Sequence, residues 1–308
     1  MLSRIKLTPV DIRKALLEVD DKALSVDDLK AMERQTPTAE EIIRLKDFGD
    51  VSKLAKADQF FYQVMDIPRI TDRLRCMVYR RRLELEVEEI RPELDILHSA
   101  SRELKTSQRF KRVLQAVLTV GNTLNGSSFR GGALGFRLEA LLKLRETKSV
   151  QGGPQCPTLL HYIARVLLRT DPLLVTFLED MPHLEAAARG LATSISTLVG
   201  GLNNIQDEVK RARETGTLPA EDRFVDVMEP FLKKERVTVD AVCKLGAALE
   251  ADLRNLLVYY GETPDTPDSP KPEDFFALIL SFSSSLQRLW RSTMLKRRFR
   301  FKQPSHQS

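Results

Sequence analysis

VLQAVLTVGNTLNGSSFRGGALGFRLEALLKLRETK, residues 113–148, is the stretch that decides the fold. Val113, Leu114, Val117, Leu118 and Val120 stand at helical spacing and predict an amphipathic helix. At Gly121-Asn122-Thr123-Leu124-Asn125-Gly126 that helix is expected to loosen. A loop holding Gly126, Gly131, Gly132 and Gly135 follows. A second helix is then expected, with Phe136, Leu138, Leu141, Leu142 and Leu144 turned inward and Lys143, Arg145 and Lys148 on or near its outer side. Gly121 lets a backbone or a bulky side chain come close. Asn122 and Asn125 are able to hydrogen-bond loose backbone groups at a helix end, or an incoming peptide. A glycine-rich loop also suits phosphate, but no Gly-Lys-Ser or Gly-Lys-Thr follows these glycines and no β-branched strand precedes them. A plain loop and a partner-docking surface remain.

Outward from this stretch, the chain has 308 residues, 42% hydrophobic and 30% charged. That length sits near the limit for a single compact core, so an elongated body or two subdomains is expected. Aromatic residues make up only 6%, while Leu, Ala, Glu, Lys and Arg abound, which favours helix. No segment alternates with period 2 for long enough to make a strand, so the fold class is all-α. The net charge of +5 is unevenly placed: residues 101–180 carry 12 Lys and Arg against 6 Asp and Glu. A basic centre suits an acidic partner, or is a solvated face. Cys76, Cys156 and Cys243 are far apart and form no Cys-x-x-Cys or Cys/His cluster, so neither a zinc site nor a disulfide framework is indicated. No run approaches the about 18–20 apolar residues that span a bilayer, and no transmembrane segment is expected.

The first hundred residues read as short, well-capped helices. Thr8-Pro9-Val10-Asp11 supplies a cap, a proline at the first helical position and an early acid. Thr38-Ala-Glu-Glu41 fits a capping box, and Ser25-Val-Asp-Asp28 is a weaker version. Asp66-Ile67-Pro68-Arg69 separates two helices. Arg73, Arg80, Arg81 and Arg82 precede Glu84, Glu86, Glu88 and Glu89 in one helix, a pattern that suits a solvated surface. Neither an aromatic platform nor a binding motif accompanies these arginines, so nucleic acid is not an expected partner. His161 lies in a mostly apolar helix and suits packing better than catalysis.

Residues 183–213 place Leu184, Leu191, Ile195, Leu198, Leu202, Ile205 and Val209 on a heptad seam. Gly200-Gly201 within it points to close packing. A second long helix is expected from about Glu221 to Tyr260, with Phe224, Met228, Phe231, Val242, Leu245, Leu249 and Leu256 inward. Residues 262–272 are a proline-rich link in which Thr263, Thr266 and Ser269 each precede proline, which suits a stiff spacer or a set of phosphorylation sites. A closing helix at 273–295 and a basic tail at 296–308 complete the chain.

Gly121-Asn122-Thr123-Leu124-Asn125, then Gly135-Phe136, then Leu141-x-Lys143-Leu144 and Thr147-Lys148-Ser149, resemble the signature of the formin homology-2 domain. Four elements agree in order and spacing, and the resemblance extends from residue 1 to about residue 295. It implies an elongated helical domain with a globular knob (1–95), and a post with a three-helix, coiled-coil-like bundle (96–261). It also implies an actin-binding protein that nucleates filaments and holds the fast-growing end as part of a head-to-tail dimer. In that family one chain's N-terminal lasso encircles the other chain's post. Gly121, Asn122, Leu124, Asn125, Gly135 and Phe136 correspond to the post, and Lys148, Lys143, Arg145 and Arg80 to the actin-facing side. Profilin-bound actin is an implied partner through regions outside this chain, and the cytoplasmic actin cytoskeleton is the implied location.

One departure stands against the family pattern. The family's actin-binding isoleucine precedes a segment like Leu2-Ser3-Arg4-Ile5-Lys6-Leu7, which puts it just before Met1. The lasso and its tryptophans are not recognisable, since the single tryptophan is Trp290. The chain therefore reads as a domain lacking its N-terminal part, expected to be mainly monomeric and a poor nucleator alone. A helical scaffold without actin activity is the alternative. An enzyme is not expected: no catalytic residue, cofactor site, metal motif or dinucleotide fingerprint is present in the sequence.

Overall fold

The computed structural model describes residues 7–48, 53–129, 131–149, 153–190, 195–215, 219–264, 266–267 and 269–300. The expectations placed on Leu2–Lys6, on Leu191 and on the tail beyond Arg300 fall outside them. The fold is all-α. Among the described residues there is no strand, and one isolated antiparallel bridge joins Lys148 to Thr158. The chain divides into two compact units, residues 1–91 with 193–244, and residues 92–192 with 245–308.

Among the described residues the first unit begins with four short helices: α1 (Pro9–Glu18), α2 (Val26–Arg34), α3 (Ala39–Asp47) and α4 (Lys56–Val64). Thr8, Ser25 and Thr38 each close a full capping box, so the Ser25 box is as complete as the other two. In the third, the Thr38 backbone and side-chain hydrogen bonds hold the Glu41 carboxyl below its ordinary range. The unit also takes α5 (Ile70–Thr106) up to Arg91, α10 (Ile195–Thr215), and α11 (Phe224–Tyr259) up to Lys244. In α5 the division falls at Pro92, whose missing N–H leaves one helical hydrogen bond unmade. Ile12, Leu16, Leu29, Phe60, Leu74, Ile205, Phe224 and Met228 share one buried core.

Polar groups are built into that core. Arg73 does not lie on a solvated surface, as its charged neighbours suggested. Its Nη1 donates to Asp222 Oδ2 at 2.6 Å, the two side chains being 5% and 0% exposed. The Asp222 carboxylate also accepts from the Phe224 N–H at the start of α11. Buried Glu208 accepts from Arg69 and Arg211. Burial, reinforced by the nearby Glu208 and Asp72 carboxylates, pushes the Cys76 thiol up to about 12, so it is an inert core residue. At Gly201 an added Cβ would stand 2.1 Å from the Tyr79 ring, whose hydroxyl donates to the Leu198 carbonyl at 2.6 Å. The glycine is required by that contact.

The seam over 183–213 is not one helix. α9 (Leu184–Ala187) is a short turn of helix, the chain leaves it through Gly190 with φ +74°, and Leu184 belongs to the second unit. Leu198, Leu202, Ile205 and Val209 are buried along α10 in the first. Heptad spacing across 184–195 is thus a coincidence of two separate segments. On α11, Leu245 is 49% exposed, whereas Phe224, Met228, Val242, Leu249 and Leu256 are buried.

The second unit holds the rest of α5 and α11, together with α6 (Gln108–Asn125), α7 (Ala140–Lys143), α8 (Leu159–Thr170), α9 and α12 (Pro272–Arg300). A 3-10 segment spans Pro172–Asp180 and is capped by Asp171. A run of rings crosses the unit's core: Phe110 meets Phe177 at 5.1 Å between ring centres, and Phe177 stacks on Phe282 at 6.1 Å. Tyr260 lies 5.6 Å from Phe275 and 6.2 Å from Phe110.

Candidate functional site: an aromatic groove beside a clasped loop

α6 begins at Ser107, whose hydroxyl oxygen accepts from the Phe110 N–H at 3.1 Å. Its buried face is Phe110, Val113, Val117 and Val120. The helix does not loosen at Gly121. It continues through Asn125 and stops at Gly126, which has φ +51° and donates its N–H to the Asn122 carbonyl. A single glycine costs a helix only about 1 kcal/mol, which the buried face outweighs.

The Asn122 side chain resolves its own ambiguity. Its Nδ2 donates to the Ala133 carbonyl and its Oδ1 accepts from the Ala133 N–H, both at 2.9 Å. The carboxamide thus pairs with both backbone groups of Ala133 and clasps the chain's own loop to the end of α6. Within the loop, an added Cβ at Gly131 would stand 1.8 Å from the Gly126 carbonyl oxygen, so no larger residue fits the turn. Leu124 is 63% exposed and Leu134 fully exposed on this projection. At Gly121 an added Cβ would meet no atom within 4 Å among the described residues. Packing within the chain therefore leaves room there.

Beyond the loop, the expected second helix is short: α7 spans four residues, and Leu138, Leu141 and Leu144 carry its buried side. Gly135 and Phe136 enter a groove of about 600 Å³ with Leu114, Leu118, Tyr259 and Tyr260. The Tyr260 hydroxyl donates to the Leu104 carbonyl at 2.8 Å, and burial raises its pKa above the ordinary phenol value. Tyr259 meets Tyr260 edge-on at 5.0 Å, and the Lys105 and Lys111 ammonium groups stand 5.6 and 5.9 Å from the Tyr259 ring centre. The groove floor is therefore fixed by an aromatic core, with cations beside it.

Tyr259, Tyr260 and Gly261 were not among the sequence candidates. The available signal was an aromatic pair ahead of a helix-ending glycine, but it stands more than a hundred residues from Phe136 in the chain.

The cationic candidates divide between the units. Lys143, Arg145 and Lys148 are exposed on one stretch of the second unit. Lys143 pairs with Glu139 at 3.2 Å and Arg145 with Glu146 at 3.8 Å, both on the surface, where such pairs are weak. Lys148 has its backbone set by the bridge to Thr158, flanked by Leu159 N–H to Thr147 carbonyl at 2.8 Å and Ser149 N–H to Pro157 carbonyl at 2.9 Å. An exposed ammonium thus stands on an immobilised backbone. Arg80 lies in the first unit, 17% exposed and paired with Asp21.

Comparison with known proteins places this geometry. The family model described as Formin Homology 2 Domain matches residues 1–287. Formin-like protein 6 of Oryza sativa subsp. japonica is 32% identical over 269 residues, and Formin-like protein 13 of Arabidopsis thaliana 30% over the same length. These alignments cover 86% of this chain but only 19% and 21% of those proteins. Formin-like protein 21b of Arabidopsis thaliana is 30% identical over 287 residues, covering 92% of this chain and 69% of that protein. The match takes in α1 to α11 and the groove with its clasped loop, and the chain belongs to the formin homology-2 domain family.

Proposed function

We propose that the chain is an actin-binding domain that nucleates filaments and holds their fast-growing end as half of a head-to-tail dimer. The observation that carries this is the groove of Leu114, Leu118, Phe136, Tyr259 and Tyr260, with the C-terminal turn of α6 at Gly121–Asn125. An apolar groove with a rigid aromatic floor suits insertion of large side chains from a partner. The occupant is the lasso of a second formin homology-2 chain. Gly121, Asn122, Leu124, Asn125, Gly135 and Phe136 shape the post it surrounds, Asn122 by fixing the loop and Gly121 by leaving room.

Lys148, Lys143 and Arg145 meet carboxylates on actin, with Lys148 contributing most because its backbone is fixed. Arg80 belongs to the same function from the first unit, where it must exchange or share Asp21. The domain assembles protein subunits and performs no covalent chemistry. Profilin-bound actin is met through regions outside this chain, and the site of action is the cytoplasmic actin cytoskeleton.

Sedimentation of the chain with a longer family chain that carries a lasso tests the groove. A heavier complex is expected, and Gly121→Trp abolishes it without unfolding the chain, because the Cβ position there meets no atom within 4 Å among the described residues. A complex that survives both Gly121→Trp and Phe136→Asp removes the groove from the interface. Actin co-sedimentation tests the rest: docking without any actin binding leaves a helical scaffold.

A further inference from the structure

We propose that Thr263 is a phosphorylation site for a proline-directed protein kinase, and that phosphate there weakens occupancy of the adjoining groove. The second clause rests on the docking function above. Residues 263–270 hold three Ser/Thr-Pro steps, Thr263-Pro264, Thr266-Pro267 and Ser269-Pro270. They differ in what the fold does with them. Ser269 is half-buried. The Thr266 hydroxyl donates to the Thr263 carbonyl at 3.1 Å. Thr263 is exposed and outside any helix. Its proline neighbour restricts it to the extended backbone that a kinase cleft accepts.

Position gives this threonine its leverage. α11 ends at Tyr259, and Gly261 (φ +79°) turns the chain out of the helix. Tyr259, Tyr260 and Gly261 all line the groove, and Thr263 follows two residues later. Lys105 and Lys111 stand near the Tyr259 ring. In the reaction Thr263 Oγ1 attacks the γ-phosphorus of ATP. The Oγ1–P bond forms as the bond to the β-phosphate oxygen breaks. The hydroxyl proton passes to the kinase's base, and ADP leaves. The product carries about −1.5 to −2 charges near neutral pH. Such a group sets a strongly hydrated anion two residues beyond Gly261 at the rim of the groove. Entry of apolar side chains is then disfavoured.

The test uses the whole chain, a proline-directed kinase with ATP, and mass-spectrometric site mapping. Phosphate on Thr263 is expected, lost in Thr263→Ala and strongly reduced in Pro264→Ala. Modification confined to Thr266 or Ser269 overturns the assignment. Binding of the lasso-bearing longer chain is then measured before and after phosphorylation. A loss of about tenfold is expected, the scale of one poorly accommodated charge at an interface. Thr266→Ala retains that loss and Thr263→Ala escapes it. If the unmodified chain does not bind the longer chain, the docking function fails, while mapping still decides the acceptor. If it binds equally with and without phosphate on Thr263, the coupling alone is wrong.

Discussion

The two units solve the same packing problem with different materials. The first unit sets one ion pair, Arg73 with Asp222, inside its core, and ties buried Glu208 to the half-exposed Arg69 and Arg211 at its edge. The second threads a run of rings through its aliphatic core, Phe282, Phe177, Phe110, Tyr260 and Phe275 in succession. Their concavities differ likewise. In the first unit a hollow of about 290 Å³ mixes Phe48 and Phe61 with Glu41, Arg44 and Asp58. The groove of the second is floored by Tyr259 and Tyr260. An ion-paired core fixes orientation but loses heavily when one partner is removed. A ring core supports an apolar site, because its own members form the floor.

The sharpest way to break that contrast is Arg73→Leu, which leaves Asp222 charged and buried. A loss of about 3–5 kcal/mol is expected in urea unfolding. Phe177→Ala in the second unit should cost a similar amount, about 3–5 kcal/mol, through a cavity. Rescue separates the two. Adding Asp222→Asn to Arg73→Leu removes the stranded charge and keeps an acceptor for the Phe224 N–H, so stability should partly return. A double mutant no more stable than Arg73→Leu would mean that the pair acts through shape and not charge.

A smaller effect is expected from Gly201→Ala. The new methyl meets the Tyr79 ring, and overpacking should cost about 1–3 kcal/mol in the first unit. Hydrogen exchange in α10 reads this locally; unchanged protection there would show that Tyr79 yields freely. Smaller again is Asn122→Ala. Its clasp is near the surface, so about 1 kcal/mol is expected, concentrated at the loop. Faster exchange at the Ala133 amide with an unchanged melting temperature checks it. The smallest is Lys148→Ala, within about 0.5 kcal/mol in stability. If the proposed function holds, actin assembly falls in that variant while the melting temperature stays. A lowered melting temperature would make Lys148 structural.

What the sequence disclosed follows from the range of the interactions involved. Three capping boxes were legible at Thr8, Ser25 and Thr38 because each is completed within four residues. The all-α class followed from helical spacing and the absence of alternating strands, and the Gly201 contact from the glycine pair. Arg73 misled, because a charged neighbourhood says nothing about a carboxylate 149 residues away. The seam over 184–209 misled for a related reason. Periodicity does not register the turn at Gly190 that hands Leu184 to a different unit. At the candidate site, Gly135 and Phe136 were found by their motif, whereas Tyr259 and Tyr260 join them only through the fold. Asn122 was identified as a hydrogen-bonding residue, but its choice between an incoming peptide and Ala133 required coordinates.

The Asn122 clasp also bears on how this surface can diversify. It closes the chain between residues 11 apart, so the projection is pinned at both ends whatever lies between them. Closure entropy grows only slowly with length: doubling such a segment costs about 0.6 kcal/mol. Insertions between Gly132 and the α6 terminus should therefore leave the helical scaffold standing. They would change only what the tip offers, which makes this segment a natural cassette for grafting new partner selectivity.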